Sequence, residues 1–163
     1  QVEFEMEDKL ADAGLDVRMS MPEEKVIVPL DSQKTFRIFE NLFGNIAKYA
    51  LPGTRVYVSG FTAKDEVTII LKNITAQELS VSGEELTERF VRGDASRNTE
   101  GSGLGLAIAK SFTEIQGGKF RIELDGDLFK VVLIWKVKPE SGNYDNSGDK
   151  VTTGDKEKQP LQS

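Results

Sequence analysis

Residues 41–49 read Asn41-Leu-Phe-Gly-Asn45-Ile-Ala-Lys48-Tyr49, and the two faces of this stretch decide how the rest of the chain is read. Asp31 or Ser32 can cap a helix that runs to about Ala50, where Pro52-Gly53 stops it. Along it Phe36, Phe39, Leu42, Phe43, Ile46, Ala47 and Ala50 follow the three-four spacing of a stripe laid against a core. Arg37, Asn41, Asn45 and Lys48 recur on another face. That second stripe is either a solvated face or a site. Asparagine competes with the backbone for hydrogen bonds and is a poor mid-helix residue, so two of them one turn apart cost helix propensity.

Working outward, residues 1–14 suit either a short helix or an extended lead-in, and their spacing leaves both open. Leu15–Met21 alternates and predicts a strand, Lys25–Leu30 predicts a second, and together they predict a hairpin. Beyond the helix, Thr54–Thr62 and Glu66–Lys72 are β-branched and alternating, joined by Ala63-Lys64-Asp65. Asn73 to Ser102 breaks the pattern, with only Glu84–Phe90 helical, and a loop of that length in a compact domain is usually functional or mobile. A helix then opens at Gly101, carries Leu104, Ile108, Phe112 and Ile115 on one face, and ends at Gly117-Gly118. Lys119–Leu124 and Leu128–Lys136 form the clearest hairpin, around Asp125-Gly126-Asp127. Trp135 in its last strand is expected in the core. The expected organisation is a lead-in over 1–14, one domain over 15–139 and a polar, disordered tail over 140–163.

Composition narrows the chemistry. The 163 residues hold no Cys and no His, which excludes thiolate and imidazole metal sites, thiol nucleophiles, a Ser-His-Asp triad and a phosphohistidine on this chain. A net charge of -6 without a basic patch argues against nucleic acid. No apolar run approaches the roughly 18 to 20 residues of a membrane span, and no signal peptide opens the chain, so a soluble domain is expected. Carboxylates, amides, lysine, hydroxyls and backbone groups are left to do the work.

The glycines of Gly101-Ser-Gly103-Leu104-Gly105-Leu106 open a helix, where backbone N–H groups and the helix dipole converge on an anion. Leu104 and Leu106 would anchor that turn in the core. The pattern is neither G-x-G-x-x-G nor a Walker A loop. With Asn41, Asn45 and Lys48 it describes a nucleotide site, because Mg²⁺ on a nucleotide takes only one or two protein oxygens and a lysine supplies a point charge to phosphate.

These residues resemble the ATP-binding catalytic domain of bacterial sensor histidine kinases, in the superfamily that includes gyrase B and MutL. The likeness covers most of residues 15–137. Asn41–Tyr49 resembles the N box, Glu88-Arg-Phe90 with Arg92 and Asp94–Arg97 the F box and lid, Gly101–Leu106 the G2 box, and Gly117-Gly118 the closing glycine pair. The resemblance implies an α/β (α+β) two-layer sandwich, a mixed sheet packed against a layer of helices. It implies Mg²⁺ on Asn45, with Asn41 supporting the phosphate side, Lys48 on phosphate and Tyr49 flanking the nucleotide. Gly101, Gly103 and Gly105 would cradle the phosphates, Phe90 would seat the lid, and Arg97 would reach the γ-phosphate. ATP and Mg²⁺ are the implied cofactors. The implied partners are a dimerisation and phosphoacceptor domain of a homodimeric parent, from which the lead-in would descend, and through it a response regulator. The domain itself would be monomeric and cytoplasmic, its parent anchored in the membrane.

One departure from the family stands at the G1 box, usually Asp-x-Gly-x-Gly. Here the stretch is Asn73-Ile-Thr75-Ala-Gln77. Asn73 keeps an acceptor for the adenine amino group but loses the charge, and charge-assisted bonds are roughly twice as strong. Thr75 and Gln77 replace glycines whose backbone freedom a β-branched residue lacks. Adenine binding is therefore expected to be weaker, differently shaped or lost. The alternatives are a degenerate module that docks to other domains and a serine kinase of the anti-sigma type.

Overall fold

The structure, a computed structural model, describes residues 2–77, Glu85 and residues 104–137. Its elements run α1 (Val2–Asp12), β1 (Asp16–Ser20), α2 (Ser32–Tyr49), β2 (Arg55–Ala63), β3 (Glu66–Ile74), α3 (Leu104–Ile115), β4 (Lys119–Asp125) and β5 (Leu128–Lys136). The five strands form one mixed sheet in the order β1-β2-β3-β5-β4, with β1 parallel to β2 and every other pair antiparallel.

Alternation along each strand builds the core. Met19, Val58, Leu71, Val131 and Ile122 lie in register across all five strands. The last four of these are buried, in one cluster with Ile38, Leu42, Phe43 and Ile46 of α2 and Leu106 and Ala109 of α3. On the opposite face Tyr57 and Phe61 are exposed. A sheet with one apolar face must be covered by helices, and the expected two-layer sandwich results.

The alternating residues 15–30 do not form a hairpin. β1 instead pairs in parallel with β2, Asp16 opposite Arg55, and residues 25–30 carry no strand. Alternation there reflects burial without pairing: Val26, Val28 and Leu30 pack against the core while Ile27 is 65% exposed. The backbone turns at Pro29, where the Leu30 N–H donates to the Val28 carbonyl (2.9 Å). Proline lacks the N–H of a ladder and suits that tight turn.

Residues 2–12 are helical, where the sequence left helix and extended chain open. Met6 and Leu10 of α1 are buried in the common core. Gly14 at φ +75 ends this helix, and the Leu15 N–H returns to the Leu10 carbonyl (3.0 Å), the left-handed glycine closure such ends use.

α2 starts where predicted. The Asp31 carboxylate accepts the Lys34 N–H (2.8 Å), which holds the Asp31 carboxyl below its ordinary range. Ile38, absent from the predicted stripe, is fully buried. On α3 the buried face is Leu106, Ala109 and Thr113, whereas Ile115 of the predicted stripe is 65% exposed. Small Ala109, and Thr113 whose hydroxyl donates to the Ala109 carbonyl (2.7 Å), let α3 lie close to its neighbours. β3 also runs on to Ile74, so Asn73 belongs to a strand and not to the following loop. The predicted helix at 84–90, apart from Glu85, and the tail at 140–163 lie outside the described residues.

Candidate functional site

The polar stripe of α2 faces α3. Asn41 and Asn45 are half-buried, and Lys48 and Tyr49 are exposed. Asn41 Nδ2 donates to the Arg37 carbonyl one turn back (2.7 Å). That commits the amino end of the amide to the helix backbone and turns Oδ1 away as an acceptor. A Cβ placed on Gly105 would lie 3.3 Å from this Oδ1 and 3.7 Å from the Asn41 carbonyl oxygen. Glycine at 105 is thus what lets the first turn of α3 approach the asparagine. Beside it, Lys48 Nζ sits 5.1 Å from the Tyr49 ring centroid, a cation–π contact that steadies an exposed lysine head. The Arg37 guanidinium pairs with Glu40 at 3.2 Å.

The end of β3 is stapled to the end of α2. The Leu51 N–H donates to the Ile74 carbonyl (2.8 Å), the Ala76 N–H to the Tyr49 carbonyl (2.9 Å), and Ala50 bridges Thr75. These contacts bring Asn73 beneath the C-terminal part of the helix that carries Asn45 and Lys48. Asn73 is 3% exposed on the inner face of the sheet, in register with Phe129. Its Oδ1 is fully buried with no hydrogen-bond partner among the described residues. Buried polar atoms are nearly always paired, so an open acceptor there calls for a donor beyond the described residues.

Thr75 does not carry the strain expected of a β-branched residue in a glycine's place. Lys64 (φ 58), in the tight turn between β2 and β3, has the only positive φ among the described non-glycine residues. Thr75 instead ties the strand end to the β4–β5 turn: its N–H donates to the Asp127 carbonyl (2.8 Å), and its hydroxyl donates to the Gln77 carbonyl (2.6 Å). Sequence reading missed this staple, although a threonine at a strand end is itself a signal for such side-chain closure.

Of the predicted site residues, the structure sets Gly105 against Asn41 and ties the strand end after Asn73 to the helix end at Tyr49, on the helix that also carries Asn45 and Lys48. Leu106 is 3% exposed and anchors α3 as expected, and Leu104 is the first residue of that helix. Phe90, Arg97, Gly101 and Gly103 lie outside the described residues. The closing pair has two separate duties. Gly117 takes φ +76, and a Cβ on Gly118 would strike Trp135 Nε1 and lie 2.9 Å from Thr113 Cγ2.

No group of three or more Asp and Glu among the described residues is arranged to hold a metal. Among the described residues, what a divalent ion could find here is amide oxygens, beside the oxygens of its own ligand. That donor set suits Mg²⁺ carried on a polyphosphate, which keeps most of its waters.

The family model described as histidine kinase-, DNA gyrase B-, and HSP90-like ATPase matches residues 30–152. Among curated relatives, the probable sensor protein PcoS of Escherichia coli is 36% identical over 112 residues, 66% of this chain and 24% of that protein. The sensor histidine kinase YvrG of Bacillus subtilis is 30% identical over 122 residues, 74% of this chain and 21% of that protein. The chain therefore spans about a quarter of the length of these relatives. Among solved structures, the catalytic domain of histidine kinase ThkA superposes with a TM-score of 0.71 at 21% identity, over 85% of this chain and 90% of that one. At that identity the likeness speaks for the fold.

Proposed function

From the premise that this chain belongs to the histidine kinase-, DNA gyrase B- and HSP90-like ATPases and is an ATP-binding catalytic domain of the sensor histidine kinase type, we propose that it presents Mg·ATP to a histidine on a separate domain. The observation that carries this reading is the buried Oδ1 of Asn73, without a hydrogen-bond partner among the described residues, at the strand end that is tied to the end of α2. An adenine amino group is a donor of the kind that atom lacks.

In this reading Asn73 accepts from the base and Tyr49 covers one side of it. Asn45 would hold Mg²⁺ through its amide oxygen, which supplies charge neutralisation on the phosphates. Asn41 Oδ1 and Lys48 Nζ orient the phosphate chain, the amide held by its bond to the Arg37 carbonyl. Gly105, with Gly101 and Gly103, gives the phosphates close access to backbone N–H groups, and Phe90 and Arg97 belong to the covering segment. Transfer breaks the bond between Pγ and the β,γ-bridging oxygen and forms a bond from Pγ to an imidazole nitrogen, with ADP as leaving group. Positioning and charge neutralisation are the protein's share of such chemistry. The chain has no histidine, so the acceptor belongs to a separate dimerisation domain, and a response regulator takes the phosphoryl group from there.

No described helix is long and apolar enough to cross a membrane. We assign the domain to the cytoplasmic side, where ATP is available, within a membrane-anchored homodimeric parent. Residues 15–139 form the catalytic unit in this reading.

Titration calorimetry with ADP and a non-hydrolysable ATP analogue, with and without Mg²⁺, tests it. Magnesium-dependent binding is expected, weakened at least about tenfold by Asn45→Ala, the equivalent of one lost ligand at 1.4 kcal/mol. Absence of adenine nucleotide binding up to millimolar concentration would instead identify a docking module, the reading that the uncharged Asn73 favours.

A further inference from the structure

We propose that Asn73 makes this site permissive for guanine as well as adenine nucleotides. The inference rests on the nucleotide-binding reading above and concerns the base it selects. The Watson–Crick edges of the two purines present a donor and an acceptor in opposite order: adenine an amino donor at position 6 beside the N1 acceptor, guanine a carbonyl acceptor at position 6 beside the N1–H donor. A carboxylate offers acceptors only. Held opposite position 6 it matches the adenine amino group and repels the guanine carbonyl.

An amide is itself a donor and acceptor pair. Rotation by a half-turn about the last side-chain bond exchanges its two ends at no cost in shape. Asn73 Oδ1 toward position 6 matches adenine, and Nδ2 toward position 6 matches guanine. Two observations indicate that either orientation is open. Asn73 Oδ1 has no hydrogen-bond partner among the described residues, so no described neighbour holds the amide in one orientation. Phe129, its register partner on β5, offers the amide an apolar side chain that favours neither end. The neighbouring polar residue Thr75 is committed elsewhere, its N–H to Asp127 and its hydroxyl to Gln77. Selectivity at position 6 therefore falls to one side chain that satisfies both bases.

The test is calorimetric titration of the whole 163-residue chain with Mg·ATP and Mg·GTP, on wild type, Asn73→Asp and Asn73→Ala. The wild-type dissociation constants are expected within about tenfold of each other. Asn73→Asp is expected to raise the preference for ATP by at least about tenfold, since a site that leaves a buried polar group facing its like rejects that ligand strongly. Asn73→Ala removes both ends of the amide and is expected to weaken ATP and GTP by similar factors, which keeps the test open where the buried aspartate impairs folding. A wild-type preference for ATP above tenfold, a ratio that Asn73→Asp leaves unchanged, or loss of ATP alone in Asn73→Ala overturns the inference. Binding of ATP without GTP overturns it while the nucleotide-binding reading stands. Binding of neither removes both.

Discussion

Replacing Gly105 by alanine should separate stability from ligand binding, with stability held near its wild-type value while binding falls. Gly105 lies in the first turn of α3, where alanine in place of glycine is worth about 0.5–1 kcal/mol to a helix. Against that gain, the new methyl would sit 3.3 Å from Asn41 Oδ1. That is a few tenths of an ångström too close. Asn41 cannot yield freely, because its Nδ2 is bonded to the Arg37 carbonyl at 2.7 Å. Giving up that bond costs about 0.5–1.5 kcal/mol, so the net change in stability should lie within about 1 kcal/mol of zero. Binding has no compensating term. An Asn41 amide displaced from the phosphate side loses one hydrogen bond to a charged group, about 1.5–3 kcal/mol, or at least tenfold in the dissociation constant for ADP or ATP. Thermal melts without ligand, paired with calorimetric titration, measure both quantities on the same sample. Affinity equal to wild type with an unchanged or raised Tm would refute the idea that the approach of α3 to Asn41 matters to the site. A large loss of stability would refute the balance of terms.

Two further perturbations follow from packing and charge. Gly118→Ala places a methyl into Trp135 Nε1 and 2.9 Å from Thr113 Cγ2, both of them buried, so chemical denaturation should show a loss of about 1–3 kcal/mol from overpacking, and a loss below 0.5 kcal/mol would refute the clash. On the outer face of the sheet, Lys130 Nζ at 2.7 Å, with Arg121 beside it, holds the Glu123 carboxyl below its ordinary range. A lowered folded pKa contributes stability above the unfolded pKa, about 4.3, and that stability is lost as pH falls through the folded value. The carboxylate side chain is 37% exposed, so the margin of wild type over Glu123→Gln should be under about 1 kcal/mol at neutral pH and should narrow as the pH falls below the unfolded pKa. A margin that grows on acidification would reverse the sign of this argument.

Much of the architecture was legible because period and burial agree. The hairpins at 55–74 and 119–136 alternate, pair where they alternate, and end at residues suited to turns. Residues 25–30 alternate too, and there the inference failed, because alternation reports which side of a segment is buried and not whether its backbone finds a partner. The buried face of α3 was misread for a related reason. Large side chains drew the stripe through Ile115, whereas the buried face carries small Ala109 and Thr113, the latter packed beside Gly118. At the site, Asn41, Asn45 and Lys48 were legible from the cost of placing amides in mid-helix. The bond from Asn41 to Arg37, the tie between Thr75 and Asp127, and the contact of Gly118 with Trp135 were not. Each joins positions whose proximity only the folded chain creates, apart from the first, which depends on a rotamer that spacing does not specify.

β3 is the middle strand of the sheet, paired with β5 along its whole length and with β2 from Glu66 to Lys72, and Asn73 is its last inward residue. Amide protons on such a strand exchange with solvent only when the whole domain opens, whereas those at helix ends and sheet edges escape through small local openings. In the nucleotide-binding reading, the residue that meets the base is thus carried on the central strand of the sheet, whose amides are expected to exchange slowly. In the same reading the first turn of α3 meets the phosphates, and its amides should be the ones whose exchange slows when nucleotide is added.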